Sequence, residues 1–299
     1  MPPPIVSHPL YRADLPEGHR FPMGKYARLA DRLVALGLAP DGFVMPEPAT
    51  RDELALAHDA GYVDAVLETR VPREIERRIG LPVDAGVVRR AVHAAGGTIK
   101  AARLALAGGL AGSTAGGSHH GQRGTGAGFC VFNDVAVTAR VLQQAGEIRR
   151  ALVFDLDVHQ GDGTADCLGR DPDLFTASIH CESNYPVRKI AGDLDVGLPD
   201  RLEDDEYLAA VRAHLPGLLD GLSPDLVFYN AGIDPHRDDR LGRLSLSDDG
   251  LRRRDAYVVG EARRRGIPLV AVIGGGYGPD VDALARRHAF VFEAMADVG

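Results

Sequence analysis

Five short apolar runs constrain the architecture of this chain more than any other feature. They are Ile5 to His8, Leu152 to Val158, Leu174 to His180, Leu226 to Ala231 and Leu269 to Ile273. Each has the length and near-continuous apolar character of a strand buried on both faces. Patterns of helical spacing separate them: Met23 to Leu36, Ala85 to Leu106, Asn133 to Gln144, Asp204 to Leu219, Asp248 to Arg265 and Pro279 to Ala296. Ser247, followed by Asp248, Asp249 and Gly250, has the chemistry of a helix start. Strands alternating with helices predict an α/β fold with a central, mostly parallel sheet flanked by helices. No linker, low-complexity tract or internal repeat divides the 299 residues, so 1–299 is read as one domain. In such folds the active site lies at the carboxyl ends of the strands.

The second apolar run leads into Asp155-Leu156-Asp157-Val158-His159-Gln160-Gly161-Asp162-Gly163. If the extended geometry persists, Asp155, Asp157 and His159 leave one face. Polar groups at the end of a buried strand are costly unless something pairs them. Two carboxylates and an imidazole suit zinc or another first-row ion. The Gly-Asp-Gly that follows reads as a tight turn.

Three other clusters carry chemistry. Gly116 to Gln122 contains adjacent His119 and His120 in a glycine-rich loop, suited to general acid–base work, though also to an exposed loop. Asn230 to Asp234 places Asp234 just past a buried strand, as a third ligand or a turn residue. Gly274-Gly275-Gly276-Tyr277-Gly278 lacks the Lys-Ser/Thr of a P-loop, so it is read as a bend that brings a phenol toward the site.

Composition narrows the partners. With 34 basic and 42 acidic residues the formal charge is −8, which argues against nucleic acid as a general partner. The runs Arg252 to Arg254 and Arg263 to Arg265 are read as solvated helix faces. Three cysteines without a Cys-x-x-Cys pair fit a reducing cytoplasm. No signal-peptide pattern and no apolar span of about 18 residues occur, so no membrane role is expected.

Taken together, Gly117-Ser118-His119-His120, Gly128-Phe129-Cys130, Asp155 to Gly163, Gly232 to Asp234 and Gly274 to Tyr277 resemble the histone deacetylase superfamily, which has the arginase–deacetylase fold. The resemblance covers nearly the whole chain. It is greatest to class IV, through Gly18 to Pro22, His159-Gln160-Gly161, Asp204 to Leu208 and Tyr229 to Ser247.

The resemblance implies that Asp157, His159 and Asp234 bind a catalytic metal, zinc or alternatively iron(II). His119 and His120 would be the tandem histidines, oriented by Asp155 and Asp162. His120 would be the general base and Tyr277 the oxyanion donor. Gly128, Phe129, Tyr185, Gly274, Gly275 and Gly276 would line the substrate tunnel. Asp155 and Ser178 would contribute to a structural potassium site. The implied activity is removal of an acyl group, acetyl or longer, from acyl-lysine on proteins or peptides. The alternatives are a small acylated amine such as an acetylpolyamine, an arginase-like binuclear enzyme, or a non-catalytic acyl-lysine-binding scaffold. Class IV relatives commonly have serine where Gly274 stands. Its absence is expected to leave room at the acyl end and to favour longer chains.

Overall fold

The computed structural model describes residues 2–299. Its core is a parallel sheet of seven strands: β1 (Ile5–Val6), β2 (Leu110–Ser113), β3 (Ala151–Asp155), β4 (Leu174–Cys181), β5 (Leu194–Leu198), β6 (Leu226–Asn230) and β7 (Leu269–Val272). The order across the sheet is β1-β2-β7-β6-β3-β4-β5. From β3 the chain steps outward through β4 to the β5 edge, then returns to lay β6 on the other side of β3. The direction of winding therefore reverses between β3 and β6, the place where open parallel sheets leave a crevice at their carboxyl ends. Register aligns Asp155 with Ser178 on one side and Asn230 on the other, so the polar ends of β3 and β6 lie beside a serine within β4.

Among the described residues ten α-helices surround the sheet: α1 (Lys25–Ala35), α2 (Arg51–Leu54), α3 (Ala60–Leu67), α4 (Arg73–Ile79), α5 (Ala85–Gly108), α6 (Asp134–Gln144), α7 (Asp162–Leu168), α8 (Asp204–Leu222), α9 (Asp248–Arg264) and α10 (Val281–Val298). Seven of them form two sets of neighbours, α5–α6–α7 and α1–α10–α9–α8, and α2 lies beside α3 and α6. Caps expected from side-chain chemistry begin several of them. Asp84 accepts from the backbone of Gly86 and Val87, Asn133 from Ala136, and Ser247 from Gly250. No helix among the described residues is long and apolar enough to cross a membrane.

The structure corrects three local expectations. The third strand stops at Asp155, and residues 157–159 bend, so alternation along a strand does not orient Asp157 and His159. Gly161-Asp162-Gly163 is not a free turn: Gly161 caps α7, and Asp162 is its first residue. Arg254 is fully buried rather than solvated, because consecutive helical residues diverge by about 100°.

Candidate active site

The bend after β3 brings Asp157 and His159 beside Asp234, which follows β6. Each offers a ligand atom within 4.8 Å of the others, and all three are buried. Backbone hydrogen bonds tie the cluster across three loops. Asp157 Oδ2 accepts from the Gly275 N–H at 2.7 Å, and Asp234 Oδ1 from the Val158 N–H at 2.9 Å. Arg254 holds the loops from beneath. Its Nη1 donates to the carbonyls of Gly232 at 2.6 Å and Leu156 at 3.4 Å, and its Nε donates to Asp255. Two of the nitrogens of this buried guanidinium are thus partnered, Nη1 by carbonyls one and two residues before the metal-competent aspartates.

Charge within the cluster fits a cation. Burial, with the Asp157 carboxylate alongside, pushes Asp234 up to about 7. Burial opposes ionisation of Asp157 as well, but His119 and His159 outweigh it and hold that carboxyl well below the usual range. His159 is likewise raised, to about 10, because Asp157 and Asp234 overcome its burial. The imidazole Nδ1 lies 2.9 Å from Asp157 Oδ1 and 3.2 Å from Asp234 Oδ2. Two carboxylates and an imidazole converging on one point suit a divalent first-row metal.

Asp155 does not join this group. Its Oδ1 accepts from the Asp157 N–H and from Asn230 Nδ2, and its Oδ2 meets His119 Nδ1 at 2.7 Å. The second histidine pair matches it in form: His120 Nδ1 lies 2.6 Å from Asp162 Oδ1. Electrostatics separate the pairs. Burial opposes a charged His119, but Asp155 and Asp157 outweigh it and raise the imidazole to about 9. Burial and the adjacent His119 charge push His120 down to about 4, against the pull of Asp162. The two imidazoles are thus shifted in opposite directions.

The histidine loop is shaped from behind. The Asp134 carboxylate accepts from the N–H groups of Gly117 and Ser118 and from the Thr98 hydroxyl. His58 Nδ1 lies 2.8 Å from the Gln122 carbonyl, and its Nε2 accepts from the Asn133 N–H at 2.9 Å. Those partners fix a neutral imidazole with its proton on Nδ1.

Tyr277 faces both the metal-competent group and the outer cavity. Its ring centroid is 6.3 Å from that of His159 and 5.6 Å from that of Phe129. Burial and the charges of Asp157 and Asp234 keep the phenol protonated by pushing it well above its ordinary range. Two groups given no role from sequence hold this segment. Asp239 Oδ2 accepts from the Tyr277 N–H at 2.6 Å. Buried Lys25 donates to the carbonyls of Gly274 and Gly276, with the rings of Phe21, Tyr26 and Tyr277 within 5.7 Å of its Nζ.

A cavity of about 330 Å³ rises from His120, His159 and Tyr277 to the surface, walled by Gly128, Phe129 and Tyr185. The Tyr185 ring stands edge-on to His120 with centroids 4.8 Å apart. Gly128 is left-handed (φ 51°), and a Cβ there would come within 2.5 Å of the His120 ring. A smaller inner space of about 30 Å³ touches His119, His120, Gly274, Gly275 and Tyr277. Gly276 lies apart from both, against Ile233 and His288. The room expected at Gly274 is absent. A Cβ there would sit 2.5 Å from the Asn230 side chain and 2.9 Å from the Gly232 backbone, and the residue is left-handed (φ 58°).

The family model for the histone deacetylase domain matches residues 19–295. The chain belongs to the histone deacetylase family. It is 47% identical over 296 residues to an uncharacterized protein of Picosynechococcus sp., with 99% of each chain covered. It is 32% identical over 269 residues to Histone deacetylase 2 of Arabidopsis thaliana, covering 87% of this chain and 70% of the relative. Acetoin utilization protein AcuC of Bacillus subtilis is 32% identical over 252 residues, with 77% and 65% covered. The crystal structure of the HDA15 HD domain matches with a TM-score of 0.82 at 21% identity, covering 98% of this chain and 88% of that one, a likeness of fold. As a histone deacetylase family member the chain is a hydrolase of acylated amides with the arginase–deacetylase fold.

Proposed function

We propose that this histone deacetylase family member removes acetyl from acetyl-lysine, using one divalent metal, zinc or iron(II), held by Asp157, His159 and Asp234. The observation that carries the reading is the buried Asp157–His159–Asp234 cluster with two adjacent histidines beside it, each held at Nδ1 by its own carboxylate. When bound, the ion would polarise the acyl carbonyl and acidify water.

The chain's own groups supply the rest. Asp162 occupies His120 Nδ1, which leaves Nε2 of a neutral ring to take a proton from the attacking water and pass it to the leaving amine. His119, charged and clamped to Asp155, stabilises negative charge as the carbonyl carbon becomes tetrahedral. The Tyr277 hydroxyl donates to the developing oxyanion. Gly128, Phe129 and Tyr185 confine the apolar stem of the lysine. Asp155 and Ser178, paired in register beside a cavity of about 10 Å³, are the residues we assign to a structural potassium ion.

Acetyl replaces the longer acyl group expected from sequence. Asn230 and Gly232 fill the space beside Gly274, and the inner space of about 30 Å³ suits a methyl group rather than an alkyl chain. The test is an acyl panel, acetyl to myristoyl, on one lysine peptide, with acetylated polyamines and elemental analysis alongside. We expect one metal per chain and kcat/KM falling beyond acetyl. Turnover of polyamines alone, or two metals per chain, would overturn the reading.

A further inference from the structure

The mouth of the outer cavity is lined by four arginines and no carboxylate. Arg20 comes from the segment before α1, Arg77 and Arg78 from the last turn of α4, and Arg243 from the loop after β6. This concentration runs against a chain whose formal charge is −8. Arg20 lies over the Phe129 ring, 4.9 Å from its centroid. Arg78 donates to Gln122 Oε1 at 2.9 Å. Only Arg243 approaches an acid, with Nη1 3.7 Å from Asp200 Oδ2 and 3.3 Å from the Ser183 hydroxyl. Arg20, Arg77 and Arg78 have no carboxylate within ion-pair distance among the described residues.

These guanidinium groups sit where the amine half of a substrate must lie if its acyl group reaches the floor. They repel cationic flanks and favour carboxylates, with which arginine forms planar paired hydrogen bonds. We propose that the physiological acyl-lysine lies in an acidic stretch of polypeptide. This inference rests on the acyl-lysine reading above. It predicts that lysine- and arginine-rich tails are poor substrates, and cationic polyamines likewise.

The experiment uses the metal-loaded enzyme and one acetyl-lysine octapeptide with Asp/Glu, Ser/Gly or Lys/Arg flanks. Turnover is paired with binding of the same fluorescein-labelled peptides, followed by anisotropy. At low salt kcat/KM is expected to be about tenfold higher for acidic than for basic flanks, as two or three weak exposed charge pairs would give together. The difference should lie in KM and shrink as salt is added. Combining Arg77→Glu with Arg243→Glu should abolish or invert the preference, and the matching lysine substitutions should retain most of it. Equal or basic-preferring binding overturns the proposal, whatever the turnover. Acidic-preferring binding without lysine hydrolysis supports the mouth and refutes the acyl-lysine reading.

Discussion

The floor and the mouth of the outer cavity lie in one depression yet carry opposite charge. The floor gathers Asp157, His159 and Asp234 where β3 and β6 end, with Asp155 and Asp162 behind the histidines. The mouth gathers Arg20, Arg77, Arg78 and Arg243 from segments outside the sheet. Floor groups are buried, and each is held by several hydrogen bonds, so its geometry is fixed before a substrate arrives. Mouth groups are largely exposed and loosely partnered, so they act through the weaker, screened part of Coulomb attraction. On the proposed reading, chemistry and choice of substrate would belong to different parts of the chain.

The largest expected effect tests whether the floor is a metal centre. Asp234→Ala should remove the metal and lower activity by more than the ~10³ expected of losing one oxyanion donor. Binding of an acidic-flanked peptide at the mouth should survive. Full metal content in the variant would break the assignment. Next comes Tyr277→Phe, which deletes only a hydroxyl. It should lower kcat by ~10²–10³, equivalent to about 3–4 kcal/mol, with metal and KM retained. A variant within a few-fold of the parent would make Tyr277 a wall residue.

The smallest effect concerns the scaffold behind the floor. Burial lowers His58 from 6.5 to about 4, despite its carbonyl partner at Gln122. Its contribution to stability is complete above 6.5 and is lost as pH falls toward 4. Between pH 7.5 and 5 that loss is about 2 kcal/mol. The stability gap between the parent and His58→Phe, measured by urea denaturation, should therefore narrow by about that amount on acidification. A gap independent of pH would show that His58 does not need to be neutral.

Legibility in the sequence divides along similar lines. Polar residues after apolar runs drew attention to Asp155, Asp157, His159 and Asp234, because burial penalises such groups unless a partner satisfies them, but the set Asp157, His159 and Asp234 came from the family resemblance. The shape they adopt was less accessible: the strand pattern continues to Val158, but the strand ends at Asp155. β2, Leu-Ala-Gly-Ser, is too short and small-residued to register as a strand. β5 alternates exposed and partly buried residues at the sheet edge, and Asp195 and Gly197 break its apolar character. Lys25 looks like any first-turn helix lysine until tertiary structure surrounds it with rings and carbonyls. The mouth was invisible because Arg20, Arg77 and Arg243 share no motif and meet only in three dimensions.

The reversal of winding between β3 and β6 also sets an order of events during biosynthesis. Asp155 and Asn230 meet in adjacent strands although 75 residues separate them, and Tyr277 follows the next strand. Loop closure over that distance comes late relative to local helix formation. A chain emerging from the ribosome exposes Asp157 and His159 well before Asp234, and the phenol emerges after all three. The nascent protein thus passes through most of its synthesis without the complete metal-competent cluster. On the proposed function, loading with metal and the onset of hydrolysis would be properties of the nearly finished polypeptide.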